Sequence, residues 1–117
     1  MKSFVKNMLL NVSIIVFGVL YSSASSAVTC QLPSDAKVTN VFQWDDGHIF
    51  IYFDRSTNCN CSIANRVAFH KDDDEKMFMA IALTAVTSGK PVWLRAEDNG
   101  CPIHGNTAKL KTLGVKP

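Results

Sequence analysis

Four cysteines, three histidines and one acidic run are the side chains of this sequence whose types and spacing could do chemistry. Cys59-x-Cys61 and Cys101-x-x-His104 have spacings that a zinc ion tolerates, because thiolate and imidazole are its preferred ligands. An even cysteine count points instead to disulfides if the chain works in an oxidising compartment, and these remove the thiolates such a metal would need. His48 and His70 are candidate general bases and Cys61 a candidate nucleophile, but a cysteine tied in a disulfide cannot attack. No G-x-S-x-G, H-E-x-x-H or phosphate-cradling glycine loop accompanies them. Asp72-Asp73-Asp74-Glu75 lacks the spaced ligands and central glycine of a calcium loop and fits better as the acidic start of a helix. The expectation is therefore no catalytic residue, no metal and no cofactor.

Binding is the stronger reading. Trp44, His48, Phe50 and Tyr52 cluster about one Asp-Gly turn, with Asp45 and Asp46 beside them. A sugar ring needs an aromatic platform and a few hydrogen-bonding groups at its edge. Trp44, Asp46, His48 and Tyr52 are accordingly the candidate ligand-binding residues. The competing reading places Trp44 and Phe50 in the core, and Trp93 there with them.

The scaffold that positions these groups is an exported one. Lys2 and Lys6, an apolar run from Met8 to Leu20, and the exit Ser22-Ser23-Ala24-Ser25-Ser26-Ala27 read as a cleavable secretory signal over 1–27. Roughly thirteen apolar residues fall short of the about twenty that a spanning helix requires, so no integral membrane span is expected after cleavage. Ala27-Val28-Thr29 ahead of Cys30 makes a poor lipidation signal. The expected location is secreted or periplasmic.

The net charge of +2 comes from Lys2 and Lys6; without them ten basic residues face 10 acidic ones. A neutral mature chain with no dense basic stripe carries no electrostatic footprint for nucleic acid. Its length of about ninety residues, 28–117, makes a single domain that gains from crosslinks.

Alternation predicts a first strand over Ala36 to Trp44, with Val38, Phe42 and Trp44 on one side and Thr39, Val41 and Gln43 on the other. Asp46-Gly47 then signals a hairpin of the type in which both central residues take positive φ. In the returning strand, His48 to Phe53, Ile49, Ile51 and Phe53 face one way and His48, Phe50 and Tyr52 the other. A sheet apolar on both faces needs cover on both. A third strand is expected over Ile63 to Phe69.

The helix 75–88 is expected to be capped by Asp72 and Glu75 and stopped by Gly89-Lys90-Pro91. Phe78, Ile81, Ala82 and Ala85 share one face, while Met77, Met79, Leu83 and Val86 widen the apolar surface beyond one stripe. Such a helix is either buried under a curved sheet or shared with another subunit, which makes it a candidate homo-oligomer contact. Val92 to Ala96 and Thr107 to Val115 complete the order β-β-β-α-β-β. That is the order of a small OB-like Greek-key barrel, mostly β with one helix. A three-stranded sheet with an added hairpin packed on the helix gives the same order.

The stretch Phe78 to Cys101, FMAIALTAVTSGKPVWLRAEDNGC, resembles small exported proteins similar to the B (receptor-binding) subunits of AB5 toxins of the subtilase-cytotoxin type. The hairpin at Asp46-Gly47 and Cys30 near the mature start fit the same picture. The resemblance implies an OB-fold subunit that assembles into a ring and binds a glycan receptor.

Cys59 and Cys61 are too close in sequence to pair without strain, so distant partners are expected. The hairpin brings the start of the chain beside the Cys59 to Cys61 loop, which favours Cys30 with Cys59 and Cys61 with Cys101; the swapped set is the alternative. Three functions follow: an oligomeric glycan-binding subunit, a monomeric protein-interaction factor such as an inhibitor or envelope protein, and a small hydrolase.

Overall fold

A computed structural model describes residues 29–117; the expected signal segment 1–27 lies outside the described residues. Six strands form one sheet: β1 (Thr29–Gln31), β2 (Val38–Gln43), β3 (His48–Phe53), β4 (Arg66–His70), β5 (Val92–Glu97) and β6 (Ala108–Val115). The helix α1 (Phe78–Ser88) connects β4 to β5. The sheet order is β1-β5-β6-β4-β3-β2, antiparallel throughout except for the parallel pair β4 and β6.

A meander β2-β3-β4, a helix leading into β5, and a last strand β6 that returns parallel beside β4 make the Greek-key order of an OB barrel. Closure between β2 and β5 narrows to the bridge of Lys37 with Pro91 and the 2.9 Å bond from Val92 N–H to the Ala36 carbonyl. The short strand β1 extends the sheet beside β5, an element that three residues of mixed character did not announce.

Strand β3 carries large groups on both faces and has cover on both. Ile49, Ile51 and Phe53 enter the main core with Val67, Phe69 and Leu94. Phe78, Ala82 and Ala85 of α1 close this core, with Phe78 set edge-on to Phe69 at 5.3 Å. On the other face, Phe50 and Ala68 are covered by Ile103 from the loop between β5 and β6.

Several expectations are corrected. A register shift between Val38 and Asn40 turns Val38 and Val41 toward the core and leaves Phe42 and Trp44 together on the outer face. The acidic run forms a separate 3-10 turn (Lys71–Lys76) rather than the first turn of α1. Met77, in the left-handed conformation at φ 60°, breaks the two apart, and no side chain caps α1. The break delivers Phe78 into the core. The expected stop does operate: Gly89, at φ 67°, donates its N–H to the Ala85 carbonyl.

Trp93, expected in the core, is 49% exposed. It pairs across the sheet with Gly114, and its indole lies so close that a Cβ there would stand 2.8 Å away. The glycine leaves room for the ring to lie on the surface.

Two disulfides staple the sheet, Cys30–Cys59 and Cys61–Cys101. The first ties β1 to the loop after β3; the second ties that loop to the one that covers Phe50. This pairing is the favoured one, and it excludes a metal centre at Cys59, Cys61, Cys101 and His104. Among the described residues, no helix is long and apolar enough to cross a membrane.

Candidate functional site

The hairpin at Asp46-Gly47 differs from its expected form in a way that builds the site. Gly47 alone takes positive φ, 91°, and its N–H bonds the Trp44 carbonyl at 3.0 Å. Asp45, Asp46 and Gly47 thus form a three-residue loop whose glycine supplies the left-handed step. Asp46 then folds back on its own strand: Oδ1 accepts the His48 backbone N–H at 3.0 Å, a local bond typical of aspartate in turns.

The other carboxylate oxygen of Asp46 gathers two imidazoles. His48 Nδ1–H donates to Oδ2 at 3.0 Å and His104 Nε2–H at 2.7 Å. The carboxyl is held far below the usual aspartate range, first by the His48 side chain, then by the His48 backbone N–H and by His104. His70, the cross-strand partner of His48, donates Nε2–H to the Asp46 carbonyl at 3.1 Å and accepts the Asp72 N–H at Nδ1, 3.2 Å. Both nitrogens of His70 are thereby engaged, and its ring holds the turn in place. All three histidines of the chain meet at one turn.

His104 reaches this point from far along the sequence because its loop is anchored at both ends. Cys101 is bound to Cys61, Ile103 is buried against Phe50, and Ile103 and Thr107 exchange backbone bonds of 3.1 and 3.0 Å. At the tip, His104 itself takes φ 55° and is followed by Gly105 at φ 71°. Left-handed backbone at a non-glycine residue is uncommon, though histidine tolerates it better than most.

Beside the histidines lies an aromatic strip. Trp44 is 47% and Phe42 42% exposed; Trp44 meets His104 edge-on at 6.0 Å, and Phe42 stacks on Tyr52 at 5.2 Å. Trp44, Asp46 and His48 are therefore together at the turn, as expected. Tyr52 shares their face but lies at its far end, beyond Phe50, with its hydroxyl accepting from Arg66 at 2.7 Å.

Arg66 is a residue that sequence reasoning passed over. It is only 6% exposed, and among the described residues it forms no ion pair. Neutral groups hold it: Tyr52 Oη, Thr107 Oγ1 at 2.8 Å and Asn106 Oδ1 at 3.1 Å, with its guanidinium 4.3 Å from the Phe50 ring centroid. This network fixes the floor beneath the loop that presents His104. Phe42 was also missed as a site residue, and His104 was weighed only as a metal ligand beside the cysteines and set aside.

Two kinds of chemistry fit the place. The strip of Trp44 and Phe42 offers flat apolar faces beside a carboxylate, and Asp46, His48 and His104 offer ligand atoms within 4.8 Å of one another. Compared with protein-family models, curated proteins and solved structures, the chain matches none, so the reading of this site rests on its own residues.

Proposed function

We propose that this chain is an exported binding module that takes a glycan on the outer face of the β2–β3 hairpin. The observation that carries the reading is the exposed pair Trp44 and Phe42 on a sheet face flanked by the Asp45–Gly47 turn and the loop between β5 and β6. OB barrels bind oligosaccharides and oligonucleotides on this kind of face and its flanking loops. The balanced charge of the mature chain disfavours the polyanion. A pyranose ring stacking on Trp44 would place its hydroxyls beside Asp46 and His48, with Phe42 and Tyr52 continuing the surface.

Two disulfides suit an oxidising compartment, which supports export. The resemblance to toxin B subunits supports the ligand class and a ring assembly. For the ring, Leu83 on α1 and Met77 just ahead of it are exposed, and Trp93 is exposed on β5. The contact proposed is between copies of this chain through the helix.

The test begins with the native mass of the mature, oxidised protein by light scattering, followed by a glycan-array screen. Trp44→Ala should abolish glycan binding and leave the mass unchanged, whereas Trp93→Ala should leave glycan binding intact. A monomer that retains no glycan would overturn this reading and favour a protein-interaction factor. Glycan binding that survives Trp44→Ala would move the site elsewhere.

A further inference from the structure

We propose that Asp46, His48 and His104 form a binding site for one divalent transition-metal ion of the zinc class. The inference does not rest on the glycan reading. It follows from the donor set, its spacing and the way the fold holds it.

The donors are one carboxylate oxygen and two imidazole nitrogens, with every cysteine committed to a disulfide. Two imidazoles and a carboxylate suit zinc, copper or nickel, whereas calcium and magnesium require an all-oxygen shell. Metal bonds of about 2.0–2.1 Å in a tetrahedral site place neighbouring ligand atoms roughly 3.3 Å apart. The two nitrogens already stand 3.0 and 2.7 Å from Asp46 Oδ2, and all three ligand atoms lie within 4.8 Å of one another, so adjustment of the two rings brings the set to that spacing.

Proton accounting favours the exchange. In the metal-free arrangement His48 carries its proton on Nδ1 and His104 on Nε2, both directed at Asp46. A metal at those nitrogens moves each proton to the other nitrogen of the same ring. His48 Nε2 and His104 Nδ1 have no hydrogen-bond partner among the described residues, so the change of tautomer breaks no further protein contact. No net proton need be released from neutral imidazoles.

The ligands are also pre-positioned. His70 holds the Asp46 backbone, the cross-strand pairing with His70 fixes His48, and Cys61–Cys101 with buried Ile103 fixes the loop of His104. Oriented ligands of this kind are what distinguish metal sites from chance clusters. His70, with both ring nitrogens engaged, is a positioning residue and not a ligand. Asp46 and His104 are exposed, so the remaining coordination positions are open to water or to an oxygen-bearing ligand.

The experiment is a calorimetric titration of the mature, oxidised protein with Zn2+, paired with nitrogen NMR of the imidazole rings. One equivalent should bind, moving the resonances of His48 Nδ1 and His104 Nε2 more than those of His70. His104→Ala, at an exposed loop tip, should weaken binding about tenfold or more, and Asp46→Asn should do the same. Circular dichroism of both variants establishes that they are folded. Failure of the wild-type protein to bind Zn2+ would overturn the site. So would affinity unchanged in folded His104→Ala, or a wild-type titration in which zinc moves the His70 nitrogen resonances and leaves those of His48 and His104 in place.

Discussion

Asp46 Oδ2 and His104 Nε2 stand 2.7 Å apart although 58 positions separate them in the chain. The contact joins the β2–β3 turn to the loop between β5 and β6. Each side depends on a different part of the fold: the turn on Gly47, the loop on Cys61–Cys101. The outer face is consequently assembled by tertiary structure, and its integrity can be read at this one pair.

Acid should separate the pair later than an ordinary aspartate would predict. A free aspartate titrates near about 4. Asp46 is lowered by the His48 ring, the His48 backbone N–H and His104, so its contact contributes stability above the ordinary value and loses it as pH falls below. Carbon NMR of the Asp46 carboxyl in metal-free protein should show it still ionised at about pH 3. A midpoint at the ordinary aspartate value would mean that neither imidazole holds it in solution.

Arg66 should behave as a packing residue with a charge. Arg66→Ala removes its contacts with Phe50 and Tyr52 and leaves Thr107 Oγ1, Asn106 Oδ1 and Tyr52 Oη to find other partners. A loss of about 2–4 kcal/mol is expected from urea unfolding. Arg66→Lys should recover little of it, because an ammonium cannot reach three acceptors from one plane. Stability unchanged in either variant would show that the network is not formed.

The elements of this fold were largely legible because each has a local cause. Alternation in His48 to Phe53 separates two buried faces, and Gly89 stops the helix where a left-handed residue is needed. The site was legible only where it is local. Trp44, Asp46 and His48 lie within one turn of each other, so their meeting follows from the hairpin. His104 and Arg66 join through a disulfide and a parallel strand pair, which leave no periodic mark in the sequence. Trp93 was misplaced for a similar reason: Gly114, the residue that lets its indole lie on the surface, is across the sheet.

The two disulfides should separate in their effects. By loop-closure entropy, bridges spanning 29 and 40 residues each contribute about 3–4 kcal/mol. Replacing Cys30 and Cys59 by serine should lower the urea midpoint while the Asp46–His104 contact persists in the folded protein. Replacing Cys61 and Cys101 should lower it comparably and also raise hydrogen exchange from Ile103 to Thr107. Equal protection of that loop in both variants would show that Ile103 and the Arg66 network hold it without the bridge.

Gly47 should be the most sensitive glycine of the site, and Gly100 supplies the comparison. Both take positive φ, 91° and 73°, so alanine carries backbone strain of about 1–2 kcal/mol at either. At Gly100 an added Cβ meets nothing within 4 Å, whereas at Gly47 it would stand 2.7 Å from His70 Nε2. His70 cannot retreat without losing its bond to the Asp46 carbonyl. Gly47→Ala should therefore cost measurably more in urea unfolding than Gly100→Ala, and it alone should shift the imidazole resonances of His48 and His104. Equal losses with unmoved imidazoles would mean that His70 does not brace the turn, and that the histidine cluster is held from the loop side alone.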